Sequence, residues 1–330
     1  MTPAIQAMLY EPCMIERSAY EAIRAAIEKH DTSRETLAVV IDNTKAVATR
    51  PGKPIENARR ATHRDGVATI PIRGPIVRHG SFLSSLCGLT SVDAIAHDLQ
   101  LAVDNPGIKQ ICLEFDSPGG QVTGIAELAH AIRKTSATKP VTGFVDGVAC
   151  SAAYYLASAC PEIVSSAWGR TGSIGVICAI PPKAEGKNEP VEFVSSDSPM
   201  KNPDPNTDAG RAEYQALVDE MASLFIADVA AFRGTDVETV KSEFGRGGTK
   251  IGESARAAGM VDRLGDYESL HAELASRGKP STSAYRLSTE GAMQWGSSGG
   301  NSGAESMTMA LSMQSRMLIP RQALLLPNRP

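Results

Sequence analysis

Nowhere does the sequence hold the roughly 20 consecutive apolar residues that a membrane-spanning helix needs. Its opening, MTPAIQAMLYEPCMIERSAYEAI, has no basic stretch leading into an apolar one, so no secretory signal is expected. No two cysteines form a CxxC pair. Cys13, Cys87, Cys112, Cys150, Cys160 and Cys178 stand apart, several inside apolar runs such as 111–113 and 177–180. That spacing argues against a zinc site or a disulfide frame and for buried thiols in a reducing compartment. Basic residues are scattered and the formal net charge is −4, so no nucleic-acid partner is expected. Together these absences point to a cytoplasmic protein with no membrane span.

What is present is an ordinary globular composition, 42% hydrophobic and 21% charged over 330 residues, enough to bury a sizeable core. Residues 1–64 read as an N-terminal accessory segment and linker. Within it, 18–29 has helical spacing, 37–41 is a short apolar run, and 44–64 is polar with Pro51 and Pro54. From Gly66 the texture changes. Apolar runs at 67–72, 108–115, 141–145, 162–166, 174–180 and 191–195 read as strands. Helices are expected from Thr90 and Asp93 to about Val103, over 124–133, over the small-residue run 149–159, and over 209–232 ending at Gly234. A helix–strand unit at 253–261 follows, and the domain closes near Ser276. Strands alternating with helices at short intervals predict an α/β fold with largely parallel pairing over 65–276. Beyond it, 277–306 reads as a Gly/Ser-rich linker and 307–330 as a Met-rich, disordered tail.

Three motifs in the α/β region could carry chemistry. DSPGG at 116–120 falls where a strand runs into a helix; adjacent glycines there bring backbone N–H groups close to a ligand, as in an oxyanion hole. An ordinary turn would look the same. In GVACSAAYYLA at 147–157, Ser151 sits near a helix start among small residues that clear space for a substrate. A tight helix-packing face has the same composition, and the residues alone leave both readings open. TGSIGV at 171–176 is a third turn carrying a hydroxyl.

A serine nucleophile needs a base. The histidines are His30, His63, His79, His97, His130 and His271, and none lies between Ser151 and residue 270. His97 and His130 fall on predicted helices among surface-like residues. A lysine is the alternative, because burial lowers a lysine's pKa and a neutral amine can take the serine proton. Lys201, in SSDSPMKNPDP after the 191–195 run, is the one best placed to reach an interior edge; Lys183 and Lys187 lie in a polar loop.

Taken in order and spacing, DSPGG, GVACSAAYYLAS, TGSIGV and SSDSPMKNPDP resemble the signal peptide peptidase A family of serine peptidases. The likeness is greatest to its phage branch, the capsid assembly (head maturation) proteases, and spans about residues 65–275. The resemblance implies a ClpP/crotonase-like fold of repeated ββα units and a Ser–Lys dyad without a cofactor. Ser151 would be the nucleophile, Lys201 the general base, and Ser173 the hydroxyl that orients the lysine. Gly119 and Gly120, joined by Ala152, would supply the oxyanion hole. Many relatives have Ala or Gly at the position of Cys150, which reads here as a small filler. The resemblance further implies homo-oligomers, peptide or protein substrates such as capsid scaffold or the chain itself, portal or capsid proteins as partners, and a place in the bacterial host cytoplasm or the procapsid. Rival expectations are a soluble bacterial signal-peptide peptidase, a crotonase-type acyl-CoA enzyme, and a catalytically idle scaffold protein.

Overall fold

A computed structural model describes residues 12–28, 51–80, 89–180 and 194–277. The chain begins with strand β1 (Cys13–Ile15) and helix α1 (Arg17–Glu28). Next come β2 (Lys53–Pro54), β3 (Thr62–Arg64), β4 (Val67–Arg73), β5 (Ile76–Val77), β6 (Thr90–Ser91) and α2 (Val92–Asp104). The central units are β7 (Gln110–Ser117), β8 (Gly119–Gln121), α3 (Ile125–Ser136), β9 (Val141–Cys150), α4 (Ala152–Ser158), β10 (Glu162–Ser165) and β11 (Arg170–Gly172). A long helix α5 (Asp208–Arg233), α6 (Val237–Glu243), β12 (Thr249–Ile251), α7 (Gly252–Ala257), β13 (Arg263–Leu264) and α8 (Tyr267–Ser276) complete the described residues.

The expected α/β class and parallel pairing are present. The large sheet runs β12-β11-β9-β7-β4-β3-β2, with β10 beside β9 and β13 beside β10. Strands β4, β7, β9 and β11 are mutually parallel along that path. Both faces of β4 and β7 are buried, which is why their sequences are near-continuous apolar runs with little alternation. One face carries the main core, where Ile70, Ile72, Leu113 and Phe115 share a cluster with Leu99, Ile132, Tyr155 and Phe225 of the helices. On the other face α8 sets Tyr267, Leu270 and Leu274 against Val67, Cys112, Phe144 and Val164. A second sheet, β1-β8-β5-β6, branches off where β4 and β7 turn into β5 and β8. Ser151 and the glycines sit at that branch.

Several local expectations change. Residues 51–64, read as linker, form β2 and β3 at the edge of the large sheet, and Ile55 and Ala61 are buried. Their polarity is that of an exposed edge, where charge and proline discourage pairing with another chain. Asp98 locks this edge down. Its buried carboxylate accepts N–H bonds from Arg59 (2.6 Å), Arg60 (2.8 Å) and Ala61 (2.8 Å). Asp98→Ala leaves three amides without their acceptor and is expected to cost about 2–4 kcal/mol, read as a lower urea midpoint.

The cap of α2 is Ser91, which accepts from the Ala94 amide, one residue beyond the expected Thr90. Thr90 instead donates to the Arg73 carbonyl. The 174–180 run forms no strand and makes one bridge, from Ile177 to Cys13. Residues 194–195 are outside any strand, and the rest of the expected 191–195 strand lies outside the described residues, as do the 37–41 run, Lys183, Lys187 and everything from 278 onward. Strand β13 falls at 263–264, after a turn, and not within 253–261. The cysteines are as expected where described: Cys13, Cys112, Cys150 and Cys160 are buried, Cys178 is half-buried, and none of these five is in a disulfide.

Candidate active site

β9 ends at Cys150 and α4 begins at Ala152, leaving Ser151 alone in the turn with φ 55° and ψ −121°. A non-glycine residue there is strained by on the order of 1–3 kcal/mol and persists only where its surroundings hold it. Two backbone bonds do so. The Ser151 N–H donates to the Gly172 carbonyl (2.7 Å), and the Ser151 carbonyl accepts from the Tyr155 amide (2.9 Å). A sharp strand-to-helix turn of this kind lifts a serine hydroxyl off the end of a sheet, a geometry shared with hydrolase nucleophiles. Ser151 is buried, and its Oγ has no hydrogen-bond partner among the described residues.

Helix α4 is buried along its whole length, and Ala152, Ala153 and Ala157 are small where its neighbours come close. Tyr154 donates to the Met260 carbonyl (3.0 Å) and Tyr155 to the Asp228 carboxylate of α5, so the helix carrying the turn is tied at two points. Ala152 is the first residue of that helix, and its N–H is one of the amides that no intrahelical carbonyl can satisfy.

Gly119 stands directly beside the serine. It adopts φ 100°, and the point where a side chain would begin lies 2.2 Å from the Met14 oxygen and 2.9 Å from both the Cys150 oxygen and Ser151 Cβ. Gly120 is as constrained, since a Cβ there would fall 1.8 Å from the Ile76 oxygen of β5. Both glycines of DSPGG are therefore dictated by backbone approach. Gly120→Ala is expected to separate β8 from β5, lowering stability by about 2–4 kcal/mol and disordering the site; urea unfolding and near-UV circular dichroism measure both effects. The Gly119 N–H meets Ser117 Oγ at 3.2 Å, a contact the sequence did not single out. Asp116 has a structural part: burial first, and then Asp146, push its carboxyl above the usual carboxylate range, with the Val148 amide bonded to it.

TGSIGV lies along the other side of Ser151. Its Thr171 and Gly172 pair in parallel with Ala149 and Cys150, and Ser173 follows at φ 54°, its N–H on the Gly248 carbonyl (2.7 Å). Ser173 is half-buried. Burial pushes the Cys150 thiol up to about 12, so it is protonated, as suits a small filler and not a reactive thiol. The structure thus gathers Ser151, Gly119, Gly120, Ala152 and the Ser173 backbone into one place. It does not bring Lys201 to them. Lys201 is exposed, in a single 3-10 turn (Pro199–Lys201) that precedes α5.

Sequence reasoning also missed β1. Cys13–Ile15 lies against Gly119–Gln121 on one edge and Ile177 on the other. The apolar triplet Cys-Met-Ile after Pro12 was the available signal. Among the described residues no cluster of His, Cys, Asp and Glu could hold a metal ion, and no helix is long and apolar enough to cross a membrane.

Residues 133–187 and 193–279 match peptidase family S49. Capsid assembly protease C of Escherichia phage lambda is 30% identical over 213 residues, covering 63% of this chain and 48% of that protein. Head-tail preconnector protein GP5 of Enterobacteria phage P21 is 30% identical over 61% of this chain and 41% of its own length. Protease 4 of Salmonella typhi is 32% identical over 57% of this chain and 31% of its own. The chain thus spans about half or less of each of these relatives. A Legionella pneumophila protein described as an enoyl CoA hydratase/isomerase (crotonase) has a solved structure that superposes with a TM-score of 0.41 at 14% identity, covering 78% of this chain and 90% of that one.

Proposed function

From the match of residues 133–187 and 193–279 to peptidase family S49, we propose that this chain is a serine endopeptidase of that family that cleaves extended peptide segments and acts on scaffold or capsid proteins during phage head assembly. The observation that carries the reading is the Ser151 turn: a strained serine at the mouth of a buried helix, its hydroxyl unpartnered and a glycine backbone against it. Strain and an unsatisfied buried hydroxyl are both costs that a purely structural position sheds, and their persistence here points to a functional serine.

In the proposed reaction Ser151 Oγ attacks the scissile carbonyl carbon while the Lys201 amine takes its proton. The carbonyl oxygen gains the charge and is held by N–H groups of the Gly119–Gly120 backbone and Ala152. Each such donor is typically worth about 2.7–4 kcal/mol at the transition state. The C–N bond then breaks, and the lysine returns its proton to the leaving amine. Water, deprotonated by the same amine, releases the acyl group and regenerates the serine. Ser173 lies next to this site and orients the amine.

The exposed position of Lys201 means that the amine must be delivered to Ser151. Assembly of several copies supplies a route. One face of α5, the helix that follows the Lys201 turn, is open in the single chain, with Leu217 40% and Leu224 64% exposed. A second copy packing on that face would cover both leucines and carry a lysine with it.

Co-expression with candidate scaffold and capsid proteins, followed by mass spectrometry of the products, tests the reading. Cleavage products are expected with the parent chain and are expected to vanish with Ser151→Ala. Undiminished processing by Ser151→Ala takes Ser151 out of the reaction and favours an idle assembly protein.

A further inference from the structure

A peptide bound for attack by Ser151 has to lie extended between β8 and the segment after β11, because these are the two backbones that flank the serine. In this structure that place is taken. β1 runs antiparallel to β8 with Cys13 opposite Gln121, Met14 opposite Gly120 and Ile15 opposite Gly119, and the Glu16 N–H continues the ladder to the Pro118 carbonyl (2.7 Å). Its other edge is paired as well: the Cys13 N–H donates to the Ile177 carbonyl (2.8 Å) and the Ile177 N–H to the Cys13 carbonyl (2.9 Å). The Met14 oxygen and Ser151 Cβ lie 2.2 and 2.9 Å from one common point above Gly119. All three side chains are buried, at 1%, 5% and 4% exposure.

We propose that Cys13–Ile15 is a built-in substrate mimic that closes the peptide groove of its own chain, and that true substrates present a similar extended run of three apolar residues. The inference rests on the protease reading given above. Hydrogen bonding on both edges gives affinity without regard to sequence, while the apolar pockets select the side chains. A tethered strand competes at an effective concentration of about millimolar, so a free peptide at micromolar levels loses the groove to β1. Activity on other proteins then requires β1 to leave. At its far end Glu16 meets Arg170 at 3.5 Å and Tyr20 is buried one helical turn on. β1 is an end strand of the smaller sheet, so its departure breaks no pairing within the large one.

Two variants of the full-length protein test this: Met14→Asp, which places a charge in a buried apolar groove, and deletion of residues 1–16. The readouts are the rate of Ser151 labelling by a fluorophosphonate probe and fluorescence anisotropy of a dye-labelled synthetic peptide spanning 9–20. Both variants are expected to label about tenfold or more faster than the parent and to bind the peptide, which the parent does not, and excess peptide returns their labelling to the parent rate. Equal labelling of parent and variants with no peptide binding overturns the proposal, as does loss of the cooperative urea transition in both variants, which makes β1 a fixed part of the fold. Absence of labelling in every form while the deleted chain still binds the peptide sinks Ser151 as nucleophile and leaves β1's groove standing.

Discussion

Ser151→Ala is expected to abolish peptide hydrolysis and, in the same protein, to leave stability unchanged or raise it. Loss of a serine nucleophile typically removes about 10⁴- to 10⁶-fold of the rate. Ordinarily a buried serine also forms hydrogen bonds, and its replacement destabilises. Here Oγ is buried without a partner, so the folded state bears the cost of a desolvated hydroxyl, about 1–3 kcal/mol. Alanine removes that cost while keeping the Cβ that packs beside Gly119. The expected gain is about 1 kcal/mol, visible as a higher urea midpoint. Ser151→Gly goes further in one respect, since glycine adopts φ 55° without strain. Parent-level cleavage by Ser151→Ala removes the serine from the mechanism. A midpoint lowered by more than about 1 kcal/mol in that variant shows that Oγ bonds to something that holds the fold together.

Much of this site could be read from residue types, because the constraints behind it are local. Gly119 and Gly120 are small because backbones approach them within a bond length or two of where a side chain would begin, and such pressure leaves glycine in any sequence. Ala152, Ala153 and Ala157 are small where the neighbours of the buried α4 come close. Elsewhere the deciding contact is distant along the chain. Ala149 and Cys150 look helical beside the alanines that follow, yet they are strand. Parallel pairing with Thr171 and Gly172 holds them extended, and local propensity yields to it. The apolar run from 174 looks like a strand, but its described partner is a single residue, Cys13, more than a hundred positions away. Residues 51–64 look like linker because an exposed sheet edge and a loop are polar for different reasons that give the same composition.

Lys201→Ala is expected to cut hydrolysis by about 10²- to 10⁴-fold, the usual contribution of a general base, with no change in urea midpoint. The side chain is exposed, and surface substitutions of this kind change stability little. Lys201→Arg is expected to be as inactive as the alanine variant, because a guanidinium does not give up its proton in proteins and so cannot receive one from serine. The more informative experiment mixes chains. If the lysine of one copy serves the serine of another, Ser151→Ala and Lys201→Ala chains unfolded and refolded together at equal amounts recover activity. Random pairing joins an intact serine to an intact lysine at about a quarter of the contacts, so about a quarter of the parent's specific activity is expected. Each variant refolded alone stays inactive and supplies the baseline. If the mixture is no more active than that baseline while the refolded parent cleaves, the lysine must come from the same chain, by movement of the turn at Pro199–Lys201. Full activity in Lys201→Ala alone removes the lysine from the mechanism, and the proton on Ser151 must then pass to some other group.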